Sequence, residues 1–235
     1  GPYRRAKRRL LLFDYDGTLA PIRSRPEEAV PSHRLCELLR TLGTDAANRV
    51  VICSGRDSGT LEKWFGGLPV SLAAEHGAFY KDRGAWRCNI RPASWDPKLS
   101  ALLEHFARKT PRSRIERKQT ALAWHYREAD SWLGQLRAQQ LVNALMPLCA
   151  RLNLHILQGD KVVEIKSPRF TKGSETLRLL RQERYDFILA LGDDTTDDDM
   201  FAALPPRALS VKVGNASEHA RYNMPEQSEV VPLLE

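Results

Sequence analysis

The sequence predicts an α/β fold: a doubly wound, Rossmann-like parallel sheet carrying an inserted α+β unit. Three observations lead there. Short apolar runs alternate with amphipathic stretches along residues 3–94, the rhythm of strand–helix–strand units. Over 95–166 the order becomes helix, two strands, helix, two strands, an αββαββ pattern with its own antiparallel sheet. The first rhythm then resumes over 167–235. A core of 3–94 and 167–235 is therefore expected, with 95–166 inserted as a lid.

Each element has a local reason. "RLLLFDYD" is a continuous apolar run, as a parallel strand buried on both faces requires. "SHRLCELLRTLG" sets Leu35, Leu38, Leu39 and Leu42 on one helical face, with Gly43 as candidate C-cap. "RVVICSG" reads as a second buried strand, "SGTLEKWFGG" as a short helix with Ser58 as candidate N-cap, and "VSLAAEHGAFY" as a third strand. In the insertion, "PKLSALLEHFARKT" is a helix, and "SRIERKQ" and "TALAWHYRE" are strands joined by a tight turn. "DSWLGQLRAQQLVNALMPLCARLN" is a longer helix that Pro147 should kink or split, and "LHILQGDKVVEIK" a hairpin turning at Gly159-Asp160. The core resumes with the helix "KGSETLRLLRQE", the buried strand "DFILALGDD", a last strand in "ALSVKVG" and a short final element in "EVVPLLE".

Bulk properties narrow the function classes. At 235 residues, 42% hydrophobic and 28% charged, the chain reads as soluble and globular. No apolar run approaches the ~20 residues of a membrane helix, and no secretory segment follows the basic start. Cys36, Cys53, Cys88 and Cys149 lie far apart without a C-x-x-C pair, which suits thiols in a reducing cytoplasm better than disulfides or zinc. Part of the net charge of +7 sits in "YRRAKRR", read as the solvated flank of a buried strand. No basic stripe or interleaved aromatic platform points to nucleic acid. A mild positive field favours a small anionic substrate. Gly1-Pro2 reads as a cloning remnant.

Four apolar runs end in polar, reactive residues: Asp14/Asp16, Ser54-Gly55-Arg56, Glu75-His76 and Asp193/Asp194. A wound parallel sheet brings such ends to one edge, where ligands bind. Converging carboxylates cannot all stay ionised without a cation. Oxygen ligands without nearby Cys or His favour Mg²⁺ over zinc, and Mg²⁺ implies a phosphate. One of the paired acids can then attack phosphorus while the other handles the leaving-group proton. Lys172, just before a helix, suits a phosphate.

"DYDGT", "SGR" after a strand, a lysine before a helix and "GDDTTDDDMF" resemble, in order, the four motifs of the haloacid-dehalogenase-like phosphatases, from Asp14 to Phe201. The resemblance implies that Asp14 is the nucleophile, that Asp16 is the general acid/base, and that Ser54 and Lys172 hold the phosphoryl oxygens. It also implies Mg²⁺ bound by Asp14, the Asp16 carbonyl and Asp193, with Asp194 and Asp197 in support.

A narrower resemblance, carried by "FDYDGTLAPI", "AEHGAF", "IERKQTALAWHYR", "VVEIK" and "LGDDTTDDDMF", is to the trehalose-6-phosphate phosphatases. It implies a cap that closes over the sugar, with contacts from Glu116, Lys118 and Glu164 in the insertion and from Arg56, Glu75 and His76 in the core. His125 and Arg127 match further family positions. The chain departs at Asp198, where Glu is common, and at T-K-G in place of N-K-G. "YRRAKRR" leading into the first strand also resembles chains with a synthase-like domain upstream. The expected activity is Mg²⁺-dependent hydrolysis of trehalose 6-phosphate, the last step of trehalose biosynthesis. The alternatives are another sugar phosphate, such as sucrose phosphate, or a non-catalytic domain that senses a sugar phosphate.

Overall fold

Leu10, Leu11, Leu12 and Phe13 are each at most 1% exposed, so the first strand has no solvent face. The computed structural model describes residues 1–82, 84–88 and 95–235 and divides into two units, Gly1–Asn89 with Phe170–Glu235, and Ile90–Arg169. The expected boundary at residue 94 lies outside the described residues.

The first unit opens with α1 (Pro2–Arg5), β1 (Arg9–Phe13), α2 (His33–Thr44), β2 (Asn48–Cys53), α3 (Ser58–Phe65), β3 (Ser71–Ala74), β4 (Phe79–Lys81) and β5 (Arg87–Cys88). The second unit holds α4 (Pro97–Arg108), β6 (Arg114–Arg117), β7 (Ala121–His125), α5 (Ser131–Leu152), β8 (His155–Gly159) and β9 (Val162–Lys166). The first unit then resumes with α6 (Lys172–Gln182), β10 (Phe187–Gly192), α7 (Thr195–Ala202), β11 (Leu209–Val213), β12 (Tyr222–Met224) and α8 (Val230–Leu234).

The large sheet runs β12-β11-β10-β1-β2-β3-β4-β5, parallel from β12 to β3 and antiparallel at β4 and β5. Leu10 and Leu12 pack with Val51, Ala190, Leu179 of α6, and Met200 and Phe201 of α7. Leu11 and Phe13 alternate to the opposite face. There α2 and α3, which lie against β2 and β3, complete the second layer of helices. Register then sets the site. Phe13 stands opposite Leu191 on one side and Ile52 on the other. The residues that follow, Asp14, Gly192-Asp193 and Cys53-Ser54, therefore leave the sheet side by side.

Five local expectations need correction. "VSLAAEHGAFY" is not one strand: β3 ends at Ala74, and Glu75, His76 and Gly77 all have positive φ. The amides of Glu75 and His76 donate to the Arg56 and Ser54 carbonyls, each at 2.9 Å, so bonds to the neighbouring loop displace the ladder. The N-cap of α3 is Asp57 rather than Ser58, and α2 continues through Gly43 to end on Asp45. Pro147 neither ends nor splits α5, which runs unbroken over 22 residues. The β8–β9 turn falls at Asp160-Lys161, where Lys161 takes φ 61°, leaving Gly159 in the strand.

In the second unit the sheet order is β6-β7-β9-β8, all antiparallel. One face carries Leu122, Trp124, Val163 and Ile165 onto Leu99 and Leu103 of α4 and Leu141 and Leu145 of α5. Among the described residues no helix is long and apolar enough to cross a membrane.

Candidate active site

The amide of Asp14, the first residue beyond β1, donates to the Leu191 carbonyl at 2.9 Å, which fixes where its side chain leaves the sheet. Lys172 opens α6, capped by Thr171, and its Nζ lies 2.6 Å from Asp14 Oδ1 and 2.7 Å from Asp197 Oδ1. All three of these groups are buried. Thr18 Oγ1 lies 3.2 Å from both Asp14 Oδ2 and Asp193 Oδ1. Asp197 Oδ2 accepts from the amides of Asp193 (3.1 Å) and Asp194 (3.0 Å), closing the loop between β10 and α7 on itself.

Two glycines make room for this packing. A Cβ on Gly17, whose φ is +85°, would stand 2.0 Å from Asp193 Oδ2. A Cβ on Gly192 would stand 2.3 Å from Asp197 Cγ.

Electrostatics follow from the crowding. Burial pushes the Asp14 carboxyl well above its ordinary value; Lys172 opposes this, and Asp197 and Asp193 add to it. Burial raises Asp193 to about 6, with Asp197 adding to the rise. Against burial, which disfavours its charge, Asp14 and Asp197 hold the Lys172 ammonium above the usual lysine range. Carboxylate oxygens of Asp14, Asp193 and Asp197 all lie within 4.8 Å of one another, a hard-oxygen set suited to a divalent cation. Such a cation would offset the burial and the neighbouring negative charge that raise Asp14 and Asp193.

The other expected residues divide. Asp16 faces Arg56: Nε and Nη2 meet its two oxygens at 2.7 and 2.6 Å, and the guanidinium stacks over Trp64, 4.5 Å from the ring centroid. Ser54 is buried, and its Oγ accepts from the Arg56 amide at 3.2 Å. Glu75 and His76 are buried in the left-handed turn pinned to that loop. Asp194 stands outside the three-acid cluster and caps α7 through Thr195 N at 2.6 Å. In the second unit, register aligns Glu116, Ala123 and Glu164 across one sheet face. Lys118 Nζ lies 3.4 Å from Glu164 Oε2, and His125 Nε2 lies 2.8 Å from Glu116 Oε2. Burial alone would raise the Glu116 carboxyl, but the His125 hydrogen bond and the charge of Lys118 lower it to about 2. Arg127 pairs with Asp160.

Sequence reasoning missed the bridging role of Thr18 and the grip of Arg56 on Asp16. Thr18 was within reach, as a hydroxyl four residues after Asp14 across a glycine turn. The Arg56 pair is a contact between two loops and left no local signal.

The model of the family described as trehalose-phosphatase matches residues 12–228, taking in every strand end described above. The chain belongs to the trehalose-phosphatase family. Within that family it is 43% identical over 228 residues to a trehalose-phosphatase of Zygosaccharomyces rouxii, covering 86% of this chain and 25% of that protein. It is 40% identical over 236 residues to a bifunctional trehalose-6-phosphate synthase/phosphatase of Thermoproteus tenax, covering 99% and 32%. The chain thus spans a quarter to a third of the length of these curated relatives. The solved C-terminal domain of the Candida albicans trehalose-6-phosphate phosphatase is 36% identical and superposes with a TM-score of 0.91, over 99% of this chain and 92% of that one.

Proposed function

We propose that this chain hydrolyses trehalose 6-phosphate to trehalose and inorganic phosphate, with Mg²⁺, through a phosphorylated Asp14. The observation that carries the chemistry is the set of buried Asp14, Lys172 and Asp197 with half-buried Asp193, in which one ammonium meets two carboxylates and a third acid stands within ligand distance. Family membership supports the substrate.

An Asp14 oxygen attacks phosphorus, and the bond from phosphorus to the sugar oxygen breaks. Asp16 gives that oxygen its proton, with Arg56 fixing the plane of the Asp16 carboxyl group. Water then attacks the acyl phosphate, Asp16 takes its proton, and phosphate leaves. Lys172 and Ser54 hold the phosphoryl oxygens. Asp14, the Asp16 carbonyl and Asp193 would hold Mg²⁺, with Asp197 and Asp194 bracing the loop. Bound there, the ion neutralises the charge on carboxylate and phosphoryl oxygens. Glu116, Lys118 and Glu164 on the sheet of the second unit are the proposed sugar contacts there, since hydroxyls suit carboxylates that register sets on one face, and the family resemblance adds Arg56, Glu75 and His76 from the first unit.

A synthase-like domain upstream in the same polypeptide fits the bifunctional relative, and a reducing, cytoplasmic setting fits the four free thiols. The test is phosphate release from trehalose 6-phosphate beside sucrose 6-phosphate, glucose 6-phosphate and an aryl phosphate, with Mg²⁺ and with EDTA. Metal-dependent preference for trehalose 6-phosphate is expected. Preference for another sugar phosphate would discard the substrate and keep the chemistry. Silence on all four from folded protein would discard both.

A further inference from the structure

Lys212 is a lysine in a strand that otherwise reads as apolar, "ALSVKV", and none of the roles above uses it. It is 4% exposed, and an ammonium sealed from water must be paired. Its place follows from register: β11 runs parallel to β10 with Lys212 opposite Gly192, the residue before Asp193. From there Nζ donates to the Asp194 carbonyl at 2.6 Å and to Asp198 Oδ1 at 3.0 Å. Ser217 Oγ donates to the same Asp198 oxygen at 2.6 Å. Asn223 Nδ2 donates to the carbonyls of Lys212 (2.9 Å) and Gly214 (2.8 Å), which fixes the end of the strand that carries the lysine.

The loop between β10 and α7 has two kinds of support. From inside, the Asp197 carboxylate holds the amides of Asp193 and Asp194. From outside, Lys212 holds a carbonyl of that same turn and, four residues on, a carboxylate of α7. The segment carries Asp193, Asp194, Asp197, Asp198 and Asp199, whose like charges repel. Fixing it before a cation arrives lowers the cost of bringing Asp193 and Asp197 up to Asp14. The choice of Asp at 198 fits this geometry, because its oxygen already meets both Lys212 and Ser217.

We infer that Lys212 is a positioning residue for the metal-binding loop, holding Asp194 and Asp198 so that Asp193 and Asp197 stand at ligand distance from Asp14. The inference rests on the proposed metal reading, and its test separates the two. Mn²⁺ binding to metal-free protein is measured by the loss of free-ion electron paramagnetic resonance signal in wild type, Lys212→Met, Ser217→Ala and Asp193→Asn. Partners that orient metal ligands are typically worth roughly ten- to a hundredfold in metal affinity. Lys212→Met is expected to lose that much, Ser217→Ala less in the same direction, and Asp193→Asn essentially all binding. In turnover, the half-saturating Mg²⁺ concentration should rise in Lys212→Met, while KM for trehalose 6-phosphate at saturating Mg²⁺ stays put. A merely structural lysine would not produce that split.

Asp198 is about a quarter exposed and can rehydrate once Lys212 is replaced, which favours a folded variant. Should Lys212→Met fail to fold, Ser217→Ala decides by its own affinity. Wild-type Mn²⁺ affinity in folded Lys212→Met, or in Ser217→Ala as the fallback, would overturn the inference alone, provided Asp193→Asn has lost binding. Failure of the wild type to bind, or unchanged binding in Asp193→Asn, would overturn the metal reading and the inference with it.

Discussion

Lys172 Nζ lies 2.6 Å from Asp14 Oδ1, and neither side chain is more than 6% exposed. An ion pair this deep is held for a reason other than stability, since a well-packed apolar pair would serve stability as well. In the proposed mechanism the pair pre-positions the nucleophile and the cation that meets the incoming phosphoryl group. Lys172→Met leaves Asp14 and Asp197 facing each other without their cation. We expect loss of turnover on every phosphate ester, and a stability loss of roughly 3–5 kcal/mol in metal-free protein, read by urea unfolding. Retained aryl phosphatase activity would remove Lys172 from the phosphoryl site.

Arg56 has both a structural partner, Asp16, and a proposed sugar role. Substitution tells them apart. If its grip on Asp16 matters most, Arg56→Met lowers kcat on trehalose 6-phosphate and on an aryl phosphate alike, because both need the same proton transfer. A loss confined to trehalose 6-phosphate would make the sugar contact the dominant one.

Glu116 is expected to show the complementary pattern. Glu116→Ala should raise KM for trehalose 6-phosphate well above its effect on an aryl phosphate, which offers no sugar hydroxyls. Parallel losses on both substrates would exclude a sugar-binding role for that sheet face.

The depressed carboxyl of Glu116 also has a signature in stability. Its folded value, about 2, lies below its ordinary 4.5, so the unfolded chain binds the extra proton first as pH falls. The stabilisation is complete above about 4.5 and disappears on the way down to about 2. Unfolding free energies between pH 3 and 5 should therefore fall less steeply with acid in Glu116→Gln than in wild type. Identical slopes would show that His125 and Lys118 do not hold this carboxylate in solution.

Gly17→Ala tests the packing of the acids. The added methyl meets Asp193 Oδ2 and forces an alanine into φ +85°. Weakened Mg²⁺ activation is the expected outcome, measured as a higher half-saturating concentration. Unchanged activation would mean that Asp193 has freedom the structure does not show.

Much of this was legible from residue order. A run such as "RLLLFDYD" reads as a buried strand ending in acids, and "LALGDD" repeats the device; a wound sheet puts both ends along one edge, and the pairing of β1 with β10 then sets Asp14 beside Asp193. What escaped depends on contacts between loops. Nothing local says that Arg56 will reach Asp16, that Asp194 will cap a helix, or that the amides of Glu75 and His76 will bond to the Ser54–Arg56 loop and end β3 early. Lys212 was visible only as one charge in an apolar strand, a signal that needs the neighbouring strand before it means anything. The errors at Ser58 and Gly43 are of a different kind: a competing cap stood one residue before Ser58, and α2 simply continued through Gly43.

Phosphorylation of Asp14 can be caught by a rapid acid quench of the Mg²⁺-loaded protein during turnover of trehalose 6-phosphate, followed by peptide mapping. One phosphoryl group is expected on the peptide that contains Asp14, absent in Asp14→Asn, which should fold and release no phosphate. Steady phosphate release by Asp14→Asn, or a phosphoryl group on a different residue, would contradict it.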